Sequence, residues 1–266
     1  MQPIPKKSLG QHWLYDASTL DAICDAAEVQ AGDTVLEVGP GLGTLTKRLL
    51  ERGAKVTAVE FDDALAASLT KNVQDAGIST ENLTVVHEDI LRFNLTALPP
   101  NYKVVANIPY YLTSNLIRIL CESTNPFDTA AILIQKEVAE RVAAQPGDMS
   151  LLSVSAQFYC DVSLSAVVPA ELFTPPPKVD SQVLVLKYRS EPLYEGIDVR
   201  AFFRLVRAGF SQKRKTLVNS LSGGLAISKD EARAMLGAAD ISENTRAQAL
   251  SLDDWYALYE IMMQML

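Results

Sequence analysis

Three segments of the sequence carry side chains whose types and order suit chemistry. The first is Asn107-Ile108-Pro109-Tyr110, which closes an apolar run over Tyr102–Ala106. An amide, a rigid imino acid and an aromatic ring in succession suit work on an exocyclic aromatic amine. Such a nitrogen is a poor nucleophile, because its lone pair is delocalised into the ring. The Asn107 side-chain oxygen and the Ile108 carbonyl can accept its two N–H bonds, which favours a pyramidal amine with the lone pair free. Pro109 stiffens the turn, and Tyr110 offers a face for stacking. Phe173, at the tip of a proline-rich loop, can cover the second face of the same ring.

The second segment is Glu37-Val38-Gly39-Pro40-Gly41-Leu42-Gly43, between a predicted strand and a predicted helix. Glycines at such a turn let the backbone approach a ligand closely, since no Cβ intervenes. The third is a pair of acids at the ends of the next two strands. Glu60 lies about twenty residues beyond the glycines, where a carboxylate can accept from ribose hydroxyls. Asp89, in His87-Glu88-Asp89, is suited to accept from an adenine amino group. Each piece alone is also an ordinary tight turn or a solvated acid; their order along successive strands argues for a nucleoside-like ligand. A dinucleotide site needs G-x-G-x-x-G, and Thr44 stands where its last glycine belongs. The spacing G-x-G-x-G with a preceding acid suits S-adenosylmethionine, whose methionine part carries no pyrophosphate. With a charged sulfonium as donor, proximity and orientation can supply up to roughly 7–11 kcal/mol of the acceleration. A target base must be unpaired or flipped to reach such a pocket.

The elements that must position these residues alternate between short apolar runs and helical patterns. Thr34–Val38, Lys55–Glu60, Leu83–His87, Tyr102–Ala106 and Ala130–Gln135 read as parallel strands covered on both faces. Leu45–Glu51, Asp62–Ala76, Ser114–Glu122 and Lys136–Ala144 read as the helices between them, which predicts a doubly wound α/β domain. A helix near Met149–Tyr159 and strands over Ser163–Val168 and Gln182–Tyr188 follow. Pro175-Pro176-Pro177 makes Pro169–Asp180 a loop. Beyond Ser190 the signals are helical, with capping serines at Ser228 and Ser251 three residues ahead of Glu231 and Asp254. Pro192 and Gly196 mark a boundary, giving an α/β domain over residues 1–190, with an N-terminal arm over 1–30, and a helical domain over 191–266.

Composition bounds the partners. The chain has 266 residues, 48% hydrophobic and 21% charged, which is enough for a large domain and a smaller one. No run approaches the roughly 18 apolar residues of a membrane span. Met1–Leu14 lacks the apolar stretch of a signal peptide, so a cytoplasmic protein is expected. Cys24, Cys121 and Cys160 give neither a zinc spacing nor a disulfide framework, and with only two histidines no metal is expected. A net charge of −8 is unfavourable for a nucleic-acid partner, but its distribution is uneven. Val199–Ser228 contains no acid, while Arg200, Arg204, Arg207, Lys213, Arg214 and Lys215 all fall there. The three arginines, at i, i+4 and i+7, fit one helical face presented to phosphate, and Lys6 and Lys7 form a second basic group.

Taken together, these residues resemble the ribosomal RNA adenine dimethyltransferase family, and within it the bacterial small-subunit branch. The resemblance runs through Lys6–Leu14, Leu36–Thr46, the Asn107 motif, Gln135–Arg141, Phe173–Ser181 and Phe210–Leu217. It implies a Rossmann-like seven-stranded methyltransferase sheet, its last strand antiparallel, with a small all-helical C-terminal domain. It also implies N6,N6-dimethylation of two adjacent adenosines in the 3′-terminal hairpin of small-subunit (16S) RNA, within a pre-30S particle late in assembly, by a monomer. The cofactor set it implies is His12, Leu14, Gly39, Gly41, Glu60, Phe61, Asp89, Ile90 and Asn107. The reaction centre is Asn107, Ile108, Pro109, Tyr110 and Phe173, and the RNA-facing set is Lys6, Lys7, Arg204, Arg207, Lys213, Arg214 and Lys215. His12, Trp13, Tyr111 and Met149-Ser150 depart from the family pattern, which more often has Asn, Phe, Asn and Tyr-Gly there. Three rivals stand beside this reading. They are the branch acting on large-subunit RNA, a subunit-binding factor without chemistry, and a nicotinamide oxidoreductase.

Overall fold

The apolar runs become strands where the sequence predicts them, and the loops between their ends decide where chemistry can occur. The computed structural model describes residues 10–265. In chain order it begins β1 (Trp13–Leu14), α1 (Ala17–Ala26), β2 (Thr34–Val38), α2 (Thr44–Glu51), β3 (Lys55–Glu60), α3 (Asp63–Gln74) and β4 (Leu83–His87). It continues β5 (Lys103–Asn107), α4 (Thr113–Cys121), β6 (Thr129–Gln135), α5 (Lys136–Val142), α6 (Leu151–Tyr159) and β7 (Cys160–Val168). Then come β8 (Phe173–Thr174), β9 (Ser181–Tyr188), α7 (Val199–Phe210), α8 (Leu217–Leu225), α9 (Lys229–Ala238) and α10 (Leu252–Met265).

Among the described residues seven strands form one sheet, in the order β4-β3-β2-β5-β6-β9-β7. Strands β4 to β6 are mutually parallel, and β9 is antiparallel to both its neighbours, as the resemblance implied. The chain runs outward from β2 to β4, then returns to place β5 on the other side of β2. The loops after β2 and β5 therefore diverge and open a crevice at the carboxyl ends of the strands, where doubly wound sheets bind ligands. Covering helices bury both faces, so Val104, Val105 and Ala106 of β5 and Ala130–Ile134 of β6 are buried without interruption.

Several boundaries differ from the sequence reading, each for a local reason. Strand β5 runs one residue later than expected, so Asn107 is its last residue and stands in register with Leu133. Helix α5 stops at Val142, ahead of Pro146-Gly147, which disfavour its continuation. Strand β7 begins at Cys160 because an edge strand tolerates polar residues such as Asp161 in its ladder. Helix α1, capped by Asp16 accepting from the Thr19 amide at 2.8 Å, was not anticipated. Nor was the ribbon of β1 with β8, which pairs Leu14 with Phe173 inside what reads as a proline loop. Cys121 Sγ and Cys160 Sγ lie 3.9 Å apart, and Cys24, Cys121 and Cys160 are all buried and outside any disulfide.

The chain divides into two compact units. One holds the sheet, over residues 10–140 and again over Cys160–Tyr188 among the described residues. The other joins Arg141–Tyr159 to Arg189–Leu266. A boundary at 190 thus leaves out α6, whose Val154 and Phe158 share a core with Phe202, Leu205, Leu236 and Trp255. The expected caps are present in this unit. Ser228 Oγ accepts from the Glu231 amide at 3.1 Å while Glu231 accepts from the Ser228 amide at 2.7 Å. Ser251 and Asp254 repeat the arrangement at 3.1 and 2.8 Å.

Candidate active site

The crevice holds a cleft of about 320 Å³ at the carboxyl ends of β2, β3, β4 and β5. Its floor is the turn from β2 into α2. Gly39 donates to Val59 O at 2.9 Å, Gly43 to Pro40 O at 2.9 Å, and Gly41 to Glu60 Oε2 at 3.0 Å. Gly41 has a φ of +58°, and a Cβ there would stand 2.8 Å from the Trp13 ring. Only glycine meets both conditions.

The acids behave differently according to their surroundings. Glu60 is buried, and its second oxygen accepts from the Asp62 amide at 2.9 Å. Burial raises its pKa, and the amides of Asp62 and Gly41 oppose the rise. Asp89 is half-buried and accepts from the Leu91 amide at 3.0 Å, which orients its carboxylate at the end of β4. Glu37 is 1% exposed, and neither of its carboxyl oxygens makes a hydrogen bond of good geometry, Thr46 being its polar neighbour. Burial pushes its pKa up to about 8.

Asn107 to Tyr110 form the wall where β5 ends. Ile108 is buried, and the Leu112 amide donates to Pro109 O at 3.0 Å, which turns the chain tightly after the motif. Tyr110 is held from two sides. Its hydroxyl shares a 2.9 Å hydrogen bond with Ser181 Oγ, and its ring stacks on His12 at 6.0 Å between centroids. His12 in turn donates from Nδ1 to Pro175 O at 2.7 Å. Phe173, 4% exposed, packs in the core with Leu14 and Val183 and also lines the cleft, so it serves as core and wall together. Phe61 and Tyr111 stand at the cleft with 60% and 66% exposure.

Every described residue expected in the cofactor set and the reaction centre therefore lines this one cleft. Lys6 and Lys7 lie outside the described residues. Arg204, Arg207, Lys213, Arg214 and Lys215 belong to the helical unit, Arg204 and Arg207 on the exposed face of α7 and the other three in the exposed turn after it. None of these five side chains has an ion-pair partner among the described residues. Sequence reasoning used Glu37 only as the acid ahead of the glycines and gave no role to Trp13, Gln11 or Leu91, and all four line the cleft. Glu37 did carry a signal, being an acid inside an otherwise apolar strand covered on both faces. Among the described residues no group of three or more His, Cys, Asp or Glu side chains could hold a metal ion, and no helix is long and apolar enough to cross a membrane.

A family profile described as ribosomal RNA adenine dimethylase matches residues 5–264. The chain belongs to this family. It is accordingly a ribosomal RNA adenine dimethyltransferase, with S-adenosylmethionine as its methyl donor. A family member named ribosomal RNA small subunit methyltransferase A, from Dehalococcoides mccartyi, is 42% identical over 256 residues, 95% of this chain and 87% of the relative. One of the same name from Clostridioides difficile is 38% identical over 264 residues, 96% and 90% of the two chains. Among solved structures, a dimethyladenosine transferase from Plasmodium falciparum superposes with a TM-score of 0.80 at 28% identity, covering 96% of this chain and 99% of that one. The 23S rRNA methyltransferase ErmE superposes with a TM-score of 0.73 at 29% identity, covering 95% and 100%. A cradle that a Cβ would fill, a buried carboxyl without a hydrogen bond of good geometry and a prepared aromatic face all fit an adenosine-bearing cation.

Proposed function

We propose that the chain dimethylates the N6 amines of two adjacent adenosines in the 3′-terminal hairpin of small-subunit ribosomal RNA, in the cytoplasm, as a monomer acting on a pre-30S particle. The observation that carries this reading is the meeting, in one cleft, of the glycine turn, Glu60 and Asp89 with Asn107–Tyr110. The small-subunit substrate is supported by relatives at 38–42% identity that carry that substrate in their names. The likeness to ErmE favours the alternative of large-subunit RNA, at lower identity.

The chain's own residues account for the steps around methyl transfer. The bound donor supplies an activated methyl group on a cationic sulfur. Glu60 and Asp89, at adjacent strand ends, are the acceptors for ribose hydroxyls and an adenine amine. The Gly39–Gly43 turn gives close approach, and His12, Leu14, Phe61 and Ile90 complete the cofactor's walls. The target adenine stacks on Tyr110, whose ring is fixed by Ser181 and His12 before a base arrives. Phe173 closes the other side. Asn107 Oδ1 and the Ile108 carbonyl accept the N6 hydrogens and aim the lone pair at the methyl group. The amine becomes acidic once it is alkylated, so its proton leaves to water and no strong base is required. Arg204, Arg207, Lys213, Arg214 and Lys215, together with Lys6 and Lys7, supply the phosphate contacts that the net negative charge of the chain does not. Labelled methyl transfer to undermethylated small subunits, with large subunits as control, tests the assignment. Label in small-subunit RNA alone is expected, and label in large-subunit RNA alone would overturn it.

A further inference from the structure

Of the two acids lining the cleft that this scheme leaves unused, Glu37 and Glu88, Glu37 is the buried one. It lies inside β2, in register with Ala58 of β3 and Val105 of β5, so its flanks are apolar. It lines the cleft, is fully buried, and has no hydrogen bond of good geometry to either carboxyl oxygen, the hydroxyl and backbone of Thr46 being weak partners at most. Glu60 differs in just this respect, since two backbone amides engage its oxygens. The titratable groups facing Glu37 are Glu60, from β3, and Cys24, from α1. Glu60 adds negative charge, and burial pushes the Cys24 thiol up to about 12, so neither stabilises an ionised Glu37. Thr46, from α2, is the polar neighbour that opposes the rise. An unpaired buried carboxylate carries a large desolvation cost and takes up a proton instead.

We propose that Glu37 is a proton-linked counter-charge for the methyl donor, ionising when the cationic sulfonium occupies the cleft and taking a proton back when the neutral thioether product remains. This rests on the reading of the cleft as the S-adenosylmethionine site. Donor binding then expels one proton from Glu37 to solvent. Methyl transfer breaks the carbon–sulfur bond, returns its electron pair to sulfur, forms the carbon–nitrogen bond and frees one proton from the amine. With the sulfonium charge gone, Glu37 takes up one proton from solvent. The donor is held more tightly than the product by charge, and the product is released by the same group.

Calorimetric titration of the whole protein, without RNA, in two buffers of unequal ionisation enthalpy tests this. The probes are S-adenosylmethionine and S-adenosylhomocysteine. At pH 7 a group titrating at about 8 is about nine-tenths protonated. The wild type should therefore release close to one proton more with the donor than with the product, and Glu37→Gln should release none of that excess. The ligand's own amine titrates alike in both proteins, so their difference isolates Glu37. A second measurement needs no variant: the wild-type preference for donor over product should rise between pH 6 and pH 8, by up to about tenfold per unit. Equal proton release with both ligands, an excess retained in Glu37→Gln, or a preference flat with pH would each overturn the proposal while leaving the cofactor site standing. Failure of both ligands to bind would overturn the cofactor site and this inference with it.

Discussion

Replacing Glu37 with glutamine should change how the protein's stability responds to pH, and the size of the change follows from its burial. The carboxyl is 1% exposed and ordinarily titrates at 4.5, but burial pushes it up to about 8. Below pH 4.5 it is neutral whether the chain is folded or not, and it costs nothing. As the pH rises, the unfolded chain ionises freely while the folded protein keeps the proton, so stability falls. The loss grows until the pH reaches about 8, then stays constant because both states are ionised. A gap of that width is worth about 5 kcal/mol in full, and about 3 kcal/mol of it develops between pH 5 and pH 8. Glutamine has the same shape and cannot ionise. Chemical denaturation of both proteins, followed by circular dichroism across that range, should show the variant gaining about 3 kcal/mol relative to wild type as the pH rises. The amide brings its own desolvation cost, so the offset at any one pH is not the test; the slope is. Parallel profiles would mean that Glu37 is ionised or solvated in the folded protein, and the reasoning about it would fail.

Asn107→Ala should bind S-adenosylmethionine within a few-fold of wild type, yet lose two or more orders of magnitude in turnover, on the order of 3 kcal/mol, read by single-turnover methyl transfer. Gly41→Ala places a Cβ against the Trp13 ring at a positive φ, so cofactor affinity measured by calorimetry should fall at least tenfold. Charge reversal of Arg204 and Arg207 together should weaken binding to undermethylated small subunits and flatten its dependence on salt, by about one unit of log–log slope per lost phosphate contact. Binding unchanged at several salt concentrations would remove these residues from the RNA interface.

The fold was legible wherever one local signal sufficed. Five apolar runs gave the parallel strands to within a residue, because strands buried on both faces cannot hide their composition. Ser228 and Ser251 announced their helices, because a cap needs only its own side chain and the next turn. What was missed depends on partners distant in sequence. The ribbon that joins Trp13-Leu14 to Phe173-Thr174 is made across some 160 residues, and neither half has a strand pattern alone. Helix α6 reads correctly as a helix, but only the packing of Phe158 on Phe202 and Phe203 assigns it to the helical unit. The site was legible as ordered pieces, and the sheet topology brings those pieces to one crevice. The fixing of Tyr110 by Ser181 and His12 was not, since those contacts span the chain. Helix α1 is a different case: Asp16 followed by Leu20, Ile23 and Cys24 at helical spacing carried a readable signal.

The central claim is a reaction at Asn107–Tyr110 that places two methyl groups on each of two adenosines. Nuclease digests of small-subunit RNA, after incubation of undermethylated subunits with labelled S-adenosylmethionine and the protein, test it most directly by mass spectrometry. Wild type should yield N6,N6-dimethyladenosine from the 3′-terminal hairpin, approaching four methyl groups per subunit, and Asn107→Ala should yield none above background. Label at any other base, or full dimethylation by the Asn107 variant, would contradict the account.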